Sequence, residues 1–171
     1  MGRIAKPSLE LTCFTSTMWG AFPTVLYFAY TALVAPDRMT AAAPSAEFSF
    51  IAHLPEWRLV FPMKNGSWDG GLPSARPDPG NTVWGVVFEI TKSDLKALNT
   101  AEAEEAREPA TVEIMDRNGR RHEVITHLHN GKTNGEYRPS SKYLTLMLAG
   151  GRHWSLPAGW LAGLEEHLQR S

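Results

Sequence analysis

A single cysteine, Cys13, leaves the chain unable to form an internal disulfide, and it sits too far from any histidine-rich segment to share a metal with one. A reducing cytoplasm is the expected location. An excess of either charge is also missing: 17 Lys and Arg face 18 Asp and Glu, for a net charge of −1. No block of like charges could track a phosphate backbone, so nucleic acid is not an expected partner. Nor is there a long apolar run. The most membrane-like stretch, Ala21 to Ala35, falls short of the ~20 residues that a spanning helix needs. Arg3 and Lys6 before it and Ala-rich residues after it imitate a signal peptide. Yet Val25, Tyr27, Phe28 and Tyr30 are strand formers and Pro23 marks a boundary, so it reads as a buried strand running into a loop, not a membrane anchor.

With 171 residues, one domain can bury roughly two thirds of its unfolded surface and needs no staple. Residues 1–22 read as an N-terminal extension and 23–171 as the domain. Pro36-Asp37 opens a short helix that Pro44 closes, with Asp37 in the first turn where its charge suits the helix dipole. Phe48 to Phe61 reads as strand, kink at Pro55, strand. The three prolines and four glycines between Met63 and Thr82 predict a long loop. Val83 to Ile90 is nearly all apolar, as a central strand covered on both faces would be. Thr91 to Asp94 opens a helix, and Asp116-Arg117-Asn118-Gly119 turns a hairpin between strands at 110–115 and 122–129. Asn130 to Tyr137 is polar and expected to be exposed. A helix from Ser140 to Leu148 should stop at Gly150-Gly151, and Pro157 starts a last helix. The sum is an α+β domain.

Four segments then stand in a telling order: VLYFAYTALVAPDR at 25–38, NTVWGVVFEI at 81–90, LNTAEAEE at 98–105, and RPSSKY with LAGG and LP between 138 and 157. Together they resemble the gamma-glutamylcyclotransferase (AIG2-like) family, which has a YGS loop after its first strand and a single Glu in an LDxxEG motif. The resemblance implies a mixed, curved or barrel-like sheet with flanking helices. It implies a small-molecule substrate bearing a carboxylate, and a reaction in which the substrate's α-amine attacks its own side-chain carbonyl to release 5-oxoproline. The substrate supplies its own proximity, so no cofactor and no metal are expected. One carboxylate must move protons, and backbone N–H groups of a tight loop suit the substrate's carboxylate.

By resemblance the proton-transfer role falls to Glu102, and the anion loop to Tyr30, Thr31, Ala32 and Leu33. Trp68, Gly70 and Gly71 fall at a glycine-rich pocket segment, and Tyr143 at a tyrosine common near the pocket. Each has a plainer reading beside the functional one. Glu102 sits in a run of four glutamates that could be a solvated helix end, with Glu104 and Glu105 in reserve. Tyr143 could be a core aromatic, and Trp68 a lid over the core. Thr31 and Ala32 replace the family's Gly and Ser, Ala103 replaces a Gly, and Pro109 falls near a pocket tyrosine. These departures point to an altered substrate or reaction, or to a non-catalytic module that keeps the carboxylate site. His122, His127 and His129 lack the acidic or thiol company of a metal site, and Trp84 and Trp160 read as packing.

Overall fold

The computed structural model describes residues 22–129, 131 and 136–171; the extension expected at 1–22 therefore lies outside the described residues except for Phe22. Five strands close into a barrel in the order β1-β3-β2-β4-β5, with four α-helices around it. The strands are β1 (Thr24–Ala29), β2 (Glu47–Asn65), β3 (Gly70–Thr91), β4 (Arg107–Asp116) and β5 (Arg121–His129). The α-helices are α1 (Pro36–Ala42), α2 (Lys92–Glu104), α3 (Ser141–His153) and α4 (Ala158–Arg170), and a 3-10 turn spans Ala32–Val34. The α+β architecture with a barrel-like sheet is as expected. Among the described residues no helix is long and apolar enough to cross a membrane.

The apolar run around Val86 and Val87 forms the middle of β3, which pairs antiparallel with both β1 and β2. Its side chains alternate between two cores. Val86, Phe88 and Ile90 join Tyr27 and Ala29 beneath α1 and α2, where Met39 and Leu98 cover them. Val83 and Val87 join Phe28 and Tyr30 in a cluster to which all five strands contribute. The barrel closes where β1 runs parallel to β5, Tyr27 opposite Ile125.

Two expectations from the sequence are corrected. Residues 63–82 are not a long loop: β2 and β3 continue as one long hairpin, paired out to Asn65 and Gly70. Register shifts interrupt the ladder between Pro55 and Trp57 and between Val60 and Met63; Pro79 and Pro73 fall in these irregular stretches, and Pro77 pairs with Trp57 at the edge of the first. Gly150 and Gly151 do not stop α3, which runs on to His153. Gly150 instead lets α3 press on the 3-10 turn: a Cβ there would stand 2.5 Å from the Ala35 nitrogen and the Val34 carbonyl carbon.

The other start and stop signals act as read. Thr91 caps α2 by accepting from the Asp94 N–H at 3.2 Å. Asp116 Oδ1 accepts from the backbone of Asn118 and Arg120 and so closes the β4–β5 turn, with Gly119 at φ 77°. Pro157 caps α4. Of the polar stretch expected at 130–137, residues 130 and 132–135 lie outside the described residues, and Tyr137 is 41% exposed.

Candidate active site

The last turn of α2 carries Glu102 one turn beyond Leu98, on the buried face of the helix. Four residues later Ala106 takes a left-handed conformation, φ 54°, which turns the chain sharply into β4. That reversal brings Arg107, the first residue of β4, back against the helix it has just left. Its Nε donates to Glu102 Oε2 at 2.6 Å, one Nη donates to the Pro73 carbonyl at 2.8 Å, and the other to the Tyr143 hydroxyl at 3.0 Å and to Glu105. The Arg107 side chain is wholly buried, and those of Glu102 and Glu105 are 7% and 16% exposed.

A buried guanidinium this well paired stays charged. Burial disfavours its charge, but Tyr143, Glu102 and Glu105 outweigh that and raise its proton affinity further. Tyr143 lies on α3, and burial pushes its phenol up to about 12, while Arg107 and a side-chain hydrogen bond with Thr31 pull the other way. The phenol therefore keeps its proton and donates to Glu105 Oε2 at 3.3 Å.

Beside this cluster opens a cavity of about 300 Å³. Leu33, Ala42, Leu98 and Ala101 form its apolar wall, and Arg38, Glu102 and Glu105 its charged one. Trp68, from the hairpin turn, meets Tyr143 edge-on at 4.8 Å and lies 5.1 Å beneath the Arg38 guanidinium. The fold thus gathers Glu102, Tyr143, Trp68 and the loop residues Thr31 and Leu33 from four different segments.

Other expected residues stand further back. Tyr30, Thr31 and Ala32 are 2%, 3% and 2% exposed, so Leu33 is the member of the loop that faces the cavity. Thr31 holds φ −98°, an ordinary backbone angle, so this loop does not require a glycine there. Gly70 and Gly71 bind the segment that leads into α3: the Gly71 N–H donates to Arg138 at 2.7 Å and its carbonyl accepts from Ser140 at 2.9 Å. Gly70 borders a separate cavity with Lys64 and Arg138. Pro109 is an exposed residue of β4.

A second polar chain braces α2. The Tyr27 hydroxyl meets His127 Nδ1 at 2.7 Å, and His127 Nε2 meets Asn99 Oδ1 at 2.8 Å. Only the Nε2–H tautomer satisfies both, with Tyr27 donating to the ring and the ring donating to Asn99. His127 is 1% exposed, and burial, with Arg107 nearby, lowers its pKa to about 4. His129 Nδ1 lies 3.2 Å from the Ala106 carbonyl and His122 pairs with Asp116. Among the described residues no cluster of three His, Cys, Asp or Glu side chains is placed to hold a metal ion.

Arg107, Arg38 and the His127–Asn99 brace were not identified from the sequence. Arg107 was legible only as one charge in an acidic run; its signal, an arginine five residues after the candidate glutamate, needs the turn at Ala106 to acquire meaning.

A closed five-stranded barrel with a buried carboxylate–guanidinium cluster beside a small cavity places the chain among proteins of the gamma-glutamylcyclotransferase-like fold. The AIG2-like family model matches residues 82–164, which include Glu102, Arg107 and Tyr143. Human gamma-glutamylcyclotransferase is 28% identical over 136 residues, 77% of this chain and 72% of its own, and the mouse protein is 28% identical over 138 residues, 78% and 73%. A solved structure of a gamma-glutamyl cyclotransferase superposes with a TM-score of 0.77 at 26% identity, covering 84% of this chain and 87% of its own. In sequence and in fold the chain is similar to the gamma-glutamylcyclotransferase (AIG2-like) proteins.

Proposed function

We propose that the chain is a cyclotransferase-type enzyme acting on a γ-glutamyl or similar amino-acid-derived amide, with Glu102 as its general acid and base. The observation that carries this reading is the placement of Glu102: it is 5% exposed, borders the cavity, and is held in one orientation by Arg107. The names of the relatives support the reaction class.

In the proposed cycle the α-nitrogen of the substrate bonds to its own side-chain carbonyl carbon, and the bond from that carbon to the leaving nitrogen breaks. Two protons leave the α-ammonium and two reach the leaving nitrogen, which departs as an ammonium. Glu102 takes the first and hands protons across. Substrate supplies both nucleophile and electrophile, so the reaction calls for no cofactor. Tyr143, kept protonated, and the wall from the 30–33 loop to Trp68 hold the chain bent.

The test is incubation with a panel of γ-glutamyl amines and dipeptides, following 5-oxoproline by mass. Wild type should form product and Glu102→Gln should not, while remaining folded by circular dichroism; full turnover in that variant removes Glu102 from the mechanism.

A second reading, a carboxylate-binding module without turnover, draws on one observation and on the resemblance. One oxygen of Glu102 is already engaged by Arg107, and Thr31 and Ala32 stand where the resemblance implies Gly and Ser. It predicts ligand binding without product, and product appearing when Thr31→Gly and Ala32→Ser are introduced together.

A further inference from the structure

We propose that Arg38 is the anchor for the substrate's α-carboxylate, so that the site selects a free α-amino-acid head; this rests on the cyclotransferase reading of the same cavity. Among the described residues that line the cavity, Arg38 is the one cation. Arg107, the nearest rival, has a side chain with no exposure and spends its donors on Glu102, Glu105, Tyr143 and Pro73.

Arg38 differs in each respect. It is an exposed residue of the cavity wall, and its guanidinium lies over the Trp68 ring. Stacking on an aromatic face restrains a guanidinium while leaving its N–H edge for a carboxylate, which it can grip with two parallel hydrogen bonds. Of the 30–33 loop, by contrast, Tyr30, Thr31 and Ala32 are buried and Leu33 is the member that lines the cavity.

Charge then sorts the two ends of an amino-acid head. Glu102 and Glu105 repel a carboxylate and attract an ammonium, and Arg38 does the reverse. An α-amino acid lying between them places its amine against Glu102, the group proposed to deprotonate it. Trp68 and Arg38 come from the hairpin turn and from α1, and both lie outside the matched residues 82–164.

The experiment compares a γ-glutamyl dipeptide with the same compound bearing a primary amide in place of the α-carboxylate, using wild type, Arg38→Ala and Arg38→Lys. Wild type should prefer the carboxylate by about 10- to 100-fold in kcat/KM. Arg38→Ala should lose that preference, raising KM for the carboxylate substrate and leaving the amide's unmoved, and Arg38→Lys should restore part of it. Damage to packing alone would slow both substrates equally. A preference that survives in Arg38→Ala overturns the proposal. If wild type turns over neither compound, the cyclotransferase reading fails, and calorimetry with 5-oxoproline and its primary amide decides the anchor separately. Binding confined to the carboxylate and lost in Arg38→Ala supports it; equal binding of both, or none, overturns it.

Discussion

Replacing Arg107 by methionine keeps the length and apolar stem of the side chain and removes only its charge and donors. The structure sets the size of the effect. Two carboxylates with side-chain exposures of 7% and 16%, one phenol and one carbonyl would lose their common partner at once. Removing one member of a buried ion pair typically costs about 3–5 kcal/mol, because the remaining charge stays buried and unpaired. For a chain of this size that corresponds to a fall of roughly 6–20 °C in Tm. Glu102→Gln should cost less, about 1–3 kcal/mol, since the amide still offers an acceptor and Glu105 still pairs with Arg107. Urea denaturation of both variants and of the double variant gives the coupling directly, and Arg107→Met with the double variant should be far from additive. Stability within 1 kcal/mol of wild type in Arg107→Met would refute the reasoning, because it would mean that Glu102 and Glu105 reach water without their partner.

His127 predicts a pH dependence. Its pKa is about 4 in the folded protein against an ordinary 6.5, so the unfolded chain binds the proton first; the stabilisation is complete above about pH 6.5 and is lost as pH falls towards 4. The loss amounts to about 3 kcal/mol, and urea titrations between pH 7 and 4 should show a shallower slope in His127→Gln. Gly150→Ala should destabilise strongly, because the added Cβ meets backbone of the 3-10 turn at 2.5 Å and neither side can yield cheaply. Gly159→Ala, where a Cβ meets nothing within 4 Å, should be neutral or slightly stabilising in the same thermal melt.

The local rules explain why much of this fold could be read from the chain. A strand such as β3 announces itself by a continuous apolar run, and a capping Thr91, a turn at Asp116 and a Pro157 helix start need only their immediate neighbours. Where the reading failed, a distant partner had decided the outcome. The prolines of 73–79 look like loop until β2 lies opposite, with Pro73 and Pro79 at register shifts and Pro77 opposite Trp57. Gly150 looks like a helix stop until the 3-10 turn is found pressed against it.

The same division runs through the site. The sequence alone marked Glu102, Tyr143 and Trp68 by the order of the segments around them, and it could not say whether the glutamate was buried or solvated. Tertiary structure decided that, by turning the chain at Ala106 so that Arg107 folds back beneath Glu102 and Glu105. A charge's role depends on what surrounds it in space. Arg107 and Arg38 are alike in the sequence; burial among carboxylates makes one a fixed support, and an open cavity edge leaves the other free to meet a ligand.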